Sequence, residues 1–578
     1  MGGHFLVRSV EASDVFTPED LNDEQKMIAQ TAKQFIEKEV MPKREAIEDQ
    51  DFEAIVGLLR KAGTLGLLAH SIPEAYGGLG LDKVSKGIVG EELGGSSGYG
   101  VAHSNHTCIA TLPITYFGSK EQKEHYLPKL ASGEYLGAYC LTEPSSGSDA
   151  LAAKTTATLN EEKTHYLLNG TKLYITNAVF SDTFIVYAKV DGTKFTAFIV
   201  EKDFTGLSLG PEEQKMGIKG SSTRSVILED CEVPVENVLG EVGKGHVIAF
   251  NVLNLGRFNL GSACMGAAKS ALRLGIQHTN ERKQFKKRIS EFGITKEKVA
   301  LMAARIFAAE SLQYRTADLI EGALGDLDET DTDGTVGKRM MEYALECAIC
   351  KVYGSETLDY VVDESLQLHG GAGFIKEYPI EQMYRDSRIN RIFEGTNEIN
   401  RLLVPGLFFK KGAKGELPVQ DAINEAIDRL KNGEEATYSG DLAGERTAID
   451  HIRTVYLAFS GLAFQQFGQE LDDAQETLIK LADIGIELYA AESAVLRAYK
   501  SKNSLQHLLA KTVVESSFSH VKSVAGELLG GFAPTPEVEG LRRLIARAQE
   551  AVVFSDRISR NREIASVVNE NGQYVRLS

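Results

Sequence analysis

The chain has 578 residues, 43% of them hydrophobic, and a formal net charge of -18. This length predicts roughly three or four domains, each with its own apolar core. The acidic balance argues against nucleic acid as a partner. No apolar run is long enough to span a bilayer, and the first residues lack the apolar core of a secretory signal. We therefore expect a cytoplasmic protein, or alternatively a mitochondrial matrix protein whose leader has been removed.

Helical periodicity dominates the first part of the chain. Thr17 followed by Pro18 is typical of a helix start, because proline is preorganised for the first helical position. Apolar residues then recur at helical spacing over residues 21–41. We predict an N-terminal helical domain over residues 1–134.

The pattern changes near Tyr135 to β-branched and aromatic residues that alternate with polar ones. Asn169-Gly170 is a strong signal for a hairpin turn between two strands. We predict a β-barrel-like domain over residues 135–245. Its predicted strands include residues 184–188, 196–200 and 225–228.

Helical periodicity returns after the β-domain, so the predicted fold class is mostly α with a central β-domain. We predict a helical bundle domain over residues 246–408 and an additional C-terminal helical domain over residues 409–578. An acidic loop at residues 325–334 interrupts the bundle domain, and we interpret it as a solvated connector.

The C-terminal domain resembles a degenerate copy of the bundle domain. Residues 307–311 and Arg315 match residues 489–493 and Arg497, and Lys351 matches Lys511. The copy has no equivalent of residues 393–396. Chance similarity between alanine-rich helices is the alternative explanation.

Cysteine and histidine usage does not indicate a metal or disulfide framework. Six cysteines are too few for a disulfide scaffold at this length. Cys347 and Cys350 form a C-x-x-C inside a predicted helix, which favours buried thiols over zinc. His103 and His106 lack a carboxylate at ligand spacing, so we interpret them as structural.

The most informative single residue is Glu394. Ile392 and Phe393 precede it, and Gly395 follows it. Apolar surroundings disfavour the charged carboxylate and raise its pKa. A raised pKa suits a general base whose target is a weakly acidic C–H bond. The alternative is a helix cap or a surface acid beside a turn.

Three further segments suggest a large phosphate-bearing cofactor between the β-domain and helices. The small-residue loop 141–149 offers backbone N–H groups and hydroxyls to a phosphate or to ring heteroatoms. Residues 281–285 combine cations with an aromatic ring, and residues 367–371 place an amide beside glycines. Each segment has an alternative as ordinary surface or a helix end. Dinucleotide-binding and P-loop motifs do not occur in the sequence.

Together these segments resemble the acyl-CoA dehydrogenases, over about residues 17–405. The extra C-terminal domain is similar to that of the very-long-chain branch. The motifs that carry the resemblance are residues 139–144 with 147–149, residues 174–177, residues 281–285, Gln367 with residues 370–371, residues 384–386 and residues 393–396.

The resemblance implies FAD bound between the β-domain and the bundle domain, with one group of residues on the subunit's own cofactor and another on that of a partner subunit. The group expected on its own FAD is Leu141, Thr142, Ser148, Tyr174, Ile175, Thr176, Thr396 and Glu398. The group expected on the partner's FAD is Arg282, Gln284, Phe285, Gln367 and Gly371.

The resemblance also makes Glu394 the catalytic base. It implies dehydrogenation of fatty acyl-CoA to trans-2-enoyl-CoA in β-oxidation, with electrons passed to an electron-transfer flavoprotein. Some branches place the base just before an Arg that corresponds to Arg257, where this chain has Gly256. The substrate-binding residues implied are Ser148, Asn254, Arg257 and Gly395.

The sequence also carries expectations about the substrate, the flavin environment and the oligomeric state. Ala110 and Thr111 are small and favour a deep pocket for long-chain substrates. Tyr174 stands where several relatives have Trp, which would change the tuning of the flavin. We expect a homodimer, with possible peripheral membrane contact through the C-terminal domain. The alternatives are an acyl-CoA oxidase that uses oxygen, and an assembly factor for a respiratory complex with residual dehydrogenase activity.

Overall fold

The computed structural model describes residues 1–328, 331, 333–434, 436–552 and 556–575. It confirms a mostly α protein with a central β-domain between helical regions. Residues 329, 330 and 332 of the predicted acidic connector lie outside the described residues. The domain boundaries stay predictions.

The N-terminal region is helical, as expected. The predicted start at Thr17 is a 3-10 turn, Pro18–Asp20, and the first long helix begins later, capped by Asn22, whose side chain accepts from the Gln25 N–H. The helices are α1 His4–Val7, α2 Asp23–Phe35, α3 Arg44–Glu48, α4 Phe52–Thr64, α5 Lys83–Leu93, α6 Gly98–Ser104, α7 Leu112–Phe117 and α8 Lys120–Ser132.

A largely antiparallel sheet follows. Its strands are β1 Gly137–Cys140, β2 Thr156–Leu159, β3 His165–Thr176, β4 Thr183–Val190, β5 Lys194–Glu201, β6 Leu207–Leu209, β7 Thr223–Pro234 and β8 Val238–Leu239. The order is β6-β7-β3-β2-β4-β5-β8, and β1 pairs in parallel with β4. Within the described residues β6 and β8 remain two free ends, so the barrel-like domain is an open sheet and not a closed barrel.

The hairpin predicted at Asn169-Gly170 is wrong. Both residues lie inside β3, which pairs with β7 across a register shift between Leu168 and Gly170. A Cβ at Gly170 would clash with the Thr155 hydroxyl oxygen. Glycine is therefore needed at position 170 because the strand has a bulge there and Thr155 approaches its backbone closely. The local sequence of such a bulge looks the same as that of a hairpin turn, which is why the prediction failed.

The bundle region is built around two long buried helices, α9 and α12, which pack along each other. Helix α5 packs on α9, which joins the bundle to the N-terminal region. The elements are α9 Gly245–Glu281, a hairpin of β9 Lys283–Gln284 and β10 Lys287–Arg288, α10 Gly293–Leu324, α11 Asp333–Met341, α12 Ala344–His369, α13 Pro379–Ser387 and α14 Asn397–Ala413.

The C-terminal region is also helical. Its helices are α15 Val419–Asn432, α16 Ala443–Phe467, α17 Gln475–Ser501, α18 Ser504–Leu529, α19 Pro536–Val552 and α20 Arg557–Asn571. Helix α17 packs against α10 and α14, and so attaches this region to the bundle. In the described part of the chain, we find no helix with both the length and the apolar character needed to cross a membrane.

Helices α10 and α17 meet through reciprocal ion pairs. Arg315 lies 2.9 Å from Glu492, and Arg497 lies 2.7 Å from Glu310. Each arginine also lies over an aromatic ring of the opposite helix. In the proposed repeat, Glu310 is equivalent to Glu492 and Arg315 is equivalent to Arg497. The arginine of each helix therefore pairs with the glutamate of the equivalent helix. The pairing supports the duplication, which stays a prediction.

The first residues of the chain pack against the C-terminal region and not among the N-terminal helices. The Phe5 ring lies 4.5 Å from the Tyr489 ring, and the Phe5 carbonyl accepts from Arg453. The Gly3 N–H donates to the buried Glu346 at 2.6 Å. The N-terminal segment thus joins the bundle to the C-terminal helices.

Candidate active site

Glu394 lies in a turn with an uncommon backbone conformation, between α13 and α14. Its φ is +58°, and that of Gly395 is +80°. A left-handed conformation suits glycine but costs a non-glycine residue on the order of 1–3 kcal/mol. The turn therefore needs support from its surroundings.

Three side chains hold the carbonyl groups of this turn. Arg257 donates to the Glu394 carbonyl at 3.3 Å, and Lys351 donates to the Gly395 carbonyl at 2.8 Å. The Asn400 amide reaches the same two carbonyls, at 3.3 and 2.8 Å. Sequence reasoning did not find Lys351 or Asn400 as part of the site. A lone lysine within the apolar stretch 347–353 of α12 was the available signal for Lys351.

The Glu394 carboxyl group is oriented toward the protein interior. Its Oε2 is buried and has no hydrogen-bond partner among the described residues. Burial raises the pKa of Glu394 to about 7, and the charges of Arg257 and Lys351 oppose that rise. A buried carboxylate with a free oxygen and a pKa near neutrality matches the requirements for a general base.

Gly256 provides the space that this carboxyl group occupies. A Cβ added at Gly256 would lie 2.9 Å from Glu394 Oε2. A side chain at position 256 of α9 would therefore compete with the Glu394 carboxyl group for the same space.

The residues predicted to contact substrate beside Gly256 are themselves buried and paired. Arg257 donates to the Asn254 side-chain oxygen at 2.9 Å, and the Asn254 amide donates to the sulfur of Met341. Both lie on α9 below the turn that carries Gly395. The structure thus brings Asn254, Arg257, Gly395 and Glu394 together, with Arg257 bound to the backbone of the turn.

A cavity of about 150 Å³ begins at Glu394 and extends between α9 and the N-terminal helices. Gly256 and Thr176 line it near Glu394. The rest of the lining is mostly small or apolar, and it includes Val101, Cys108, Ile109, Leu260 and Ala263; Asn105, Asn259, Asp386 and Asn390 add polar groups to it. Ala110 and Thr111, which we expected to set the pocket depth, are buried elsewhere, and the hydroxyl of Thr111 donates to the His106 carbonyl.

The residues predicted along the flavin of the same subunit lie in the loop after β1 and at the end of β3, and Thr176 is the member of this group that lines the cavity. The loop that contains Leu141 and Thr142 is held by a buried ion pair of 2.7 Å between Glu143 and Lys172. Ser148 is exposed at the far side of this loop. At the end of β3, Tyr174 is 63% exposed with φ +60°, Ile175 is buried in the sheet, and Thr176 reaches the cavity.

The residues predicted to reach a partner subunit form a separate surface. Arg282, Gln284 and Phe285 lie on the exposed β9–β10 hairpin, where Phe285 is 87% exposed. Gln367 and Gly371 lie at the end of α12. The two segments are neighbours, because the His278 ring at the end of α9 stacks 4.4 Å from the His369 ring of α12.

Thr396 and Glu398 occupy the first turn of α14. The Thr396 hydroxyl accepts from the Ile399 N–H at 3.3 Å and caps the helix. Glu398 is exposed. The cap fixes where α14 begins, and thereby the point at which the Glu394 turn must end.

Other residues singled out in the sequence have structural surroundings. Cys347 and Cys350 are buried within α12. The buried His103 ring is bonded to the Leu67 carbonyl, and the His106 ring to the Leu130 carbonyl. Burial lowers the pKa of His103 to about 3 and that of His106 to about 4, so both rings are neutral at physiological pH.

Comparisons with known proteins agree along the whole chain. Family models match residues 22–134 as "Acyl-CoA dehydrogenase, N-terminal domain", residues 138–231 as the middle domain and residues 243–405 as the C-terminal domain. A further model, also described as an acyl-CoA dehydrogenase C-terminal domain, matches residues 451–540.

Individual relatives are similar over almost the full length. A probable acyl-CoA dehydrogenase of Bacillus subtilis (strain 168) is 48% identical, covering 99% of this chain and 98% of its own. The very long-chain specific acyl-CoA dehydrogenase, mitochondrial, of Bos taurus is 36% identical over 84% of this chain and 76% of its own. The crystal structure of an acyl-CoA dehydrogenase complexed with FAD from Bacillus anthracis superimposes with a TM-score of 0.95, at 48% identity and 99% coverage of both chains. With its fold, the Glu394 site and these relatives taken together, the chain belongs to the acyl-CoA dehydrogenase family.

Proposed function

We propose that this protein is an FAD-dependent dehydrogenase that converts fatty acyl-CoA to trans-2-enoyl-CoA. The observation that carries the proposal is the Glu394 carboxyl group, which lies at the head of an apolar cavity with Oε2 buried and unbonded among the described residues. A group with these properties at the end of a narrow apolar space suits removal of a proton from carbon. The Bacillus anthracis relative with bound FAD supports the choice of cofactor.

The residues near the cavity fit a flat, partly apolar ring system. Tyr174 presents an exposed aromatic face at the end of β3, and Thr176 places a hydroxyl at the cavity wall. Leu141 and Thr142 would hold the ring from the loop after β1, and Ser148 would face the phosphates. Bound FAD would supply the hydride acceptor that no side chain can provide.

The reaction places distinct demands on the residues of this chain. Glu394 must be ionised to accept the α-proton of the thioester, and its neighbours set how readily it does so. Its backbone N–H would donate to the thioester carbonyl and stabilise the developing enolate. A bound acyl chain would exclude water from the cavity, which would strengthen both interactions.

We further propose a long-chain acyl substrate. The support is the apolar part of the cavity lining, which includes Val101, Ile109 and Leu260. Resemblance to the very long-chain specific enzyme of Bos taurus points the same way.

A homodimer is the assembly that we propose. Phe285 and Phe374 are 87% and 85% exposed, and exposed aromatic residues of this kind mark interaction surfaces. Arg282, Gln284 and Gln367, on the same side, would then reach the cofactor of the partner. The C-terminal helices cover α10 on another face, which would limit assembly to two copies.

Transfer of electrons to an electron-transfer flavoprotein, and a cytoplasmic location, complete the proposal. Peripheral membrane contact stays a prediction from the resemblance. The acceptor is tested by comparing turnover with that flavoprotein and with oxygen alone. Peroxide formed in proportion to turnover, without the flavoprotein, would make the protein an oxidase.

The decisive experiment compares wild type and Glu394→Gln after loading with FAD. Bleaching of the flavin absorption band by an acyl-CoA is recorded under anaerobic conditions. Because a general base contributes roughly 10²- to 10⁴-fold, we expect a loss of about 10³-fold in the bleaching rate. Equal flavin content in the two proteins is the control. A variant that bleaches at the wild-type rate would overturn the assignment of Glu394.

A series of saturated acyl-CoAs from short to very long chains tests the substrate. The highest kcat/KM is expected among long chains. A maximum at the shortest chains would contradict the proposed use of the cavity while leaving the chemistry of Glu394 in place.

A further inference from the structure

Lys351 is a buried cation that the proposed reaction does not itself require. It lies on α12 with no measurable exposure, and its Nζ has two short contacts. One is to the Gly395 carbonyl at 2.8 Å, and the other is to the Asn397 side-chain oxygen at 2.6 Å. A buried lysine is costly unless its charge is used or compensated, so these two contacts call for a physical explanation.

Both acceptors flank the segment that presents Glu394. Gly395 has a left-handed backbone, and Asn397 is the first residue of α14. Asn397 is in turn bonded to Ser355 and Glu356, one turn further along α12. Lys351 therefore ties the strained turn and the start of the next helix to a single rigid element.

We propose that Lys351 is a positioning residue that holds the turn at residues 394–395 so that the Glu394 carboxyl group stays in the space left by Gly256. This inference rests on the proposed function of Glu394. Lys511, the counterpart of Lys351 in the proposed repeat, provides a contrast. It is half-buried on α18, and among the described residues we find no hydrogen bond or ion pair of its amino group.

The charge of Lys351 acts on Glu394 as well. The charged and titratable groups that face Lys351 are Arg257 and Cys264 of α9, Glu356 of α12, and Glu394. Burial lowers the pKa of Lys351 to about 8. The positive charge of Lys351 lowers the pKa of Glu394, against the larger effect of burial. Removing that charge must therefore raise the pKa of Glu394.

A purely structural role for Lys351 makes a different prediction. If Lys351 only joined α12 to α14, its loss would lower stability and would leave kcat of the folded, FAD-loaded enzyme unchanged at pH values where Glu394 is ionised. The two roles can be separated by measuring both properties in one set of variants.

The test uses FAD-loaded protein with Lys351→Met and Lys351→Arg, and with Lys511→Met as the matched control. Methionine keeps the length of the side chain and removes the charge and its donors. Arginine keeps the charge. For each protein, kcat and KM with one long-chain acyl-CoA are measured against pH. Hydrogen–deuterium exchange of peptides covering residues 392–400 is measured without substrate.

For Lys351→Met we expect kcat to fall at least about tenfold, as a small misplacement of a catalytic group commonly causes, with KM changed far less. The acid limb of the kcat–pH profile of Lys351→Met moves to higher pH, and hydrogen–deuterium exchange at residues 392–400 becomes faster. Lys351→Arg keeps the acid limb close to that of wild type, and Lys511→Met matches wild type throughout.

Two results would overturn the inference. One is a folded, flavin-loaded Lys351→Met protein with wild-type kcat and acid limb. The other is unchanged exchange at residues 392–400. Glu394→Gln is measured in parallel, so that a wrong role for Lys351 can be told apart from a wrong role for Glu394 as the base. If Glu394→Gln is inactive while Lys351→Met behaves as wild type, the role of Lys351 alone is wrong.

Discussion

The bundle and the C-terminal region contain similar helices, but only the bundle carries the segment with Glu394. Both contain a helix with a buried arginine and glutamate, Arg315 and Glu310 on α10 and Arg497 and Glu492 on α17. In the bundle, a further segment after α13 carries Glu394. In the C-terminal region, α18 is followed at once by α19, and no such segment intervenes in the described residues.

The difference shows that the helical framework and the chemistry are separable. The framework depends on helix-to-helix contacts that either region can make. The proposed chemistry depends on one strained turn and on the residues of α9 and α12 that support it. The C-terminal region lacks an equivalent of that turn among the described residues and still packs against the bundle.

The largest effect should come from breaking the reciprocal pairs between α10 and α17. Removing one partner of a buried ion pair costs up to about 3–5 kcal/mol, because the other charge stays buried. Glu310 keeps Lys269 and Glu492 keeps Arg453 as partners, which lowers the cost of removing either arginine. Arg497 also pairs with Glu19 at 2.7 Å, so we expect Arg497→Met to lose more unfolding free energy than Arg315→Met in urea titrations. Arg429→Met, which removes an exposed pair with Glu425, is the control and should change stability by less than about 1 kcal/mol. A larger loss for Arg315→Met would contradict the expected order.

The second prediction concerns the stability cost of the turn that carries Glu394. Burial raises the pKa of Glu394 from 4.5 to about 7. The folded state therefore binds a proton that the unfolded state releases, and stability is lost as pH rises from about 4.5 through 7. The rise corresponds to roughly 3 kcal/mol.

Glu394→Gln removes this dependence. Above pH 7 we expect the variant to be more stable than wild type, and below pH 4.5 the two should converge. Thermal unfolding of the two proteins across this range is the measurement. A constant difference at all pH values would show that Glu394 does not titrate differently on folding.

A third prediction separates catalysis from packing within the bundle. A methyl group at Gly256 would displace the Glu394 carboxyl group, since its Cβ would lie 2.9 Å from Oε2. We expect Gly256→Ala to lower kcat about tenfold, as for other small displacements of a catalytic group. Stability should change little, because alanine favours the helix.

Gly526→Ala in α18 is the matched control, because a Cβ at this position would meet no described atom within 4 Å. It should keep full activity and gain up to about 1 kcal/mol in stability. Equal activity of the two variants would mean that the carboxyl group can move without consequence.

The smallest effect is expected at Asp483, which links α17 to Arg401 of α14 at 2.7 Å. Arg401 keeps a second partner in Glu356, so Asp483→Asn should cost about 1 kcal/mol or less. Activity of Asp483→Asn should equal that of wild type. A loss of turnover would mean that the C-terminal region supports the Glu394 turn through this contact.

The order of helical and β regions could be predicted from local pattern alone, because the periods of 3.6 and 2 are local properties of the chain. Local pattern also singled out Glu394, whose apolar neighbours and following glycine are adjacent in the sequence. The motifs around Thr142, Tyr174 and Arg282 were found in the same way, as short segments read in order.

How these segments meet depends on long-range packing in the folded chain. Gly256 and Glu394 are far apart in sequence and share one space, and Lys351 reaches across to the Gly395 carbonyl. The bulge at Gly170 has its cause in Thr155, on a neighbouring part of the sheet. Such contacts depend on packing between distant elements, and no local pattern records them. Local pattern therefore identified the proposed base, and long-range packing supplied the space, charge and support that suit Glu394 to this proposed role.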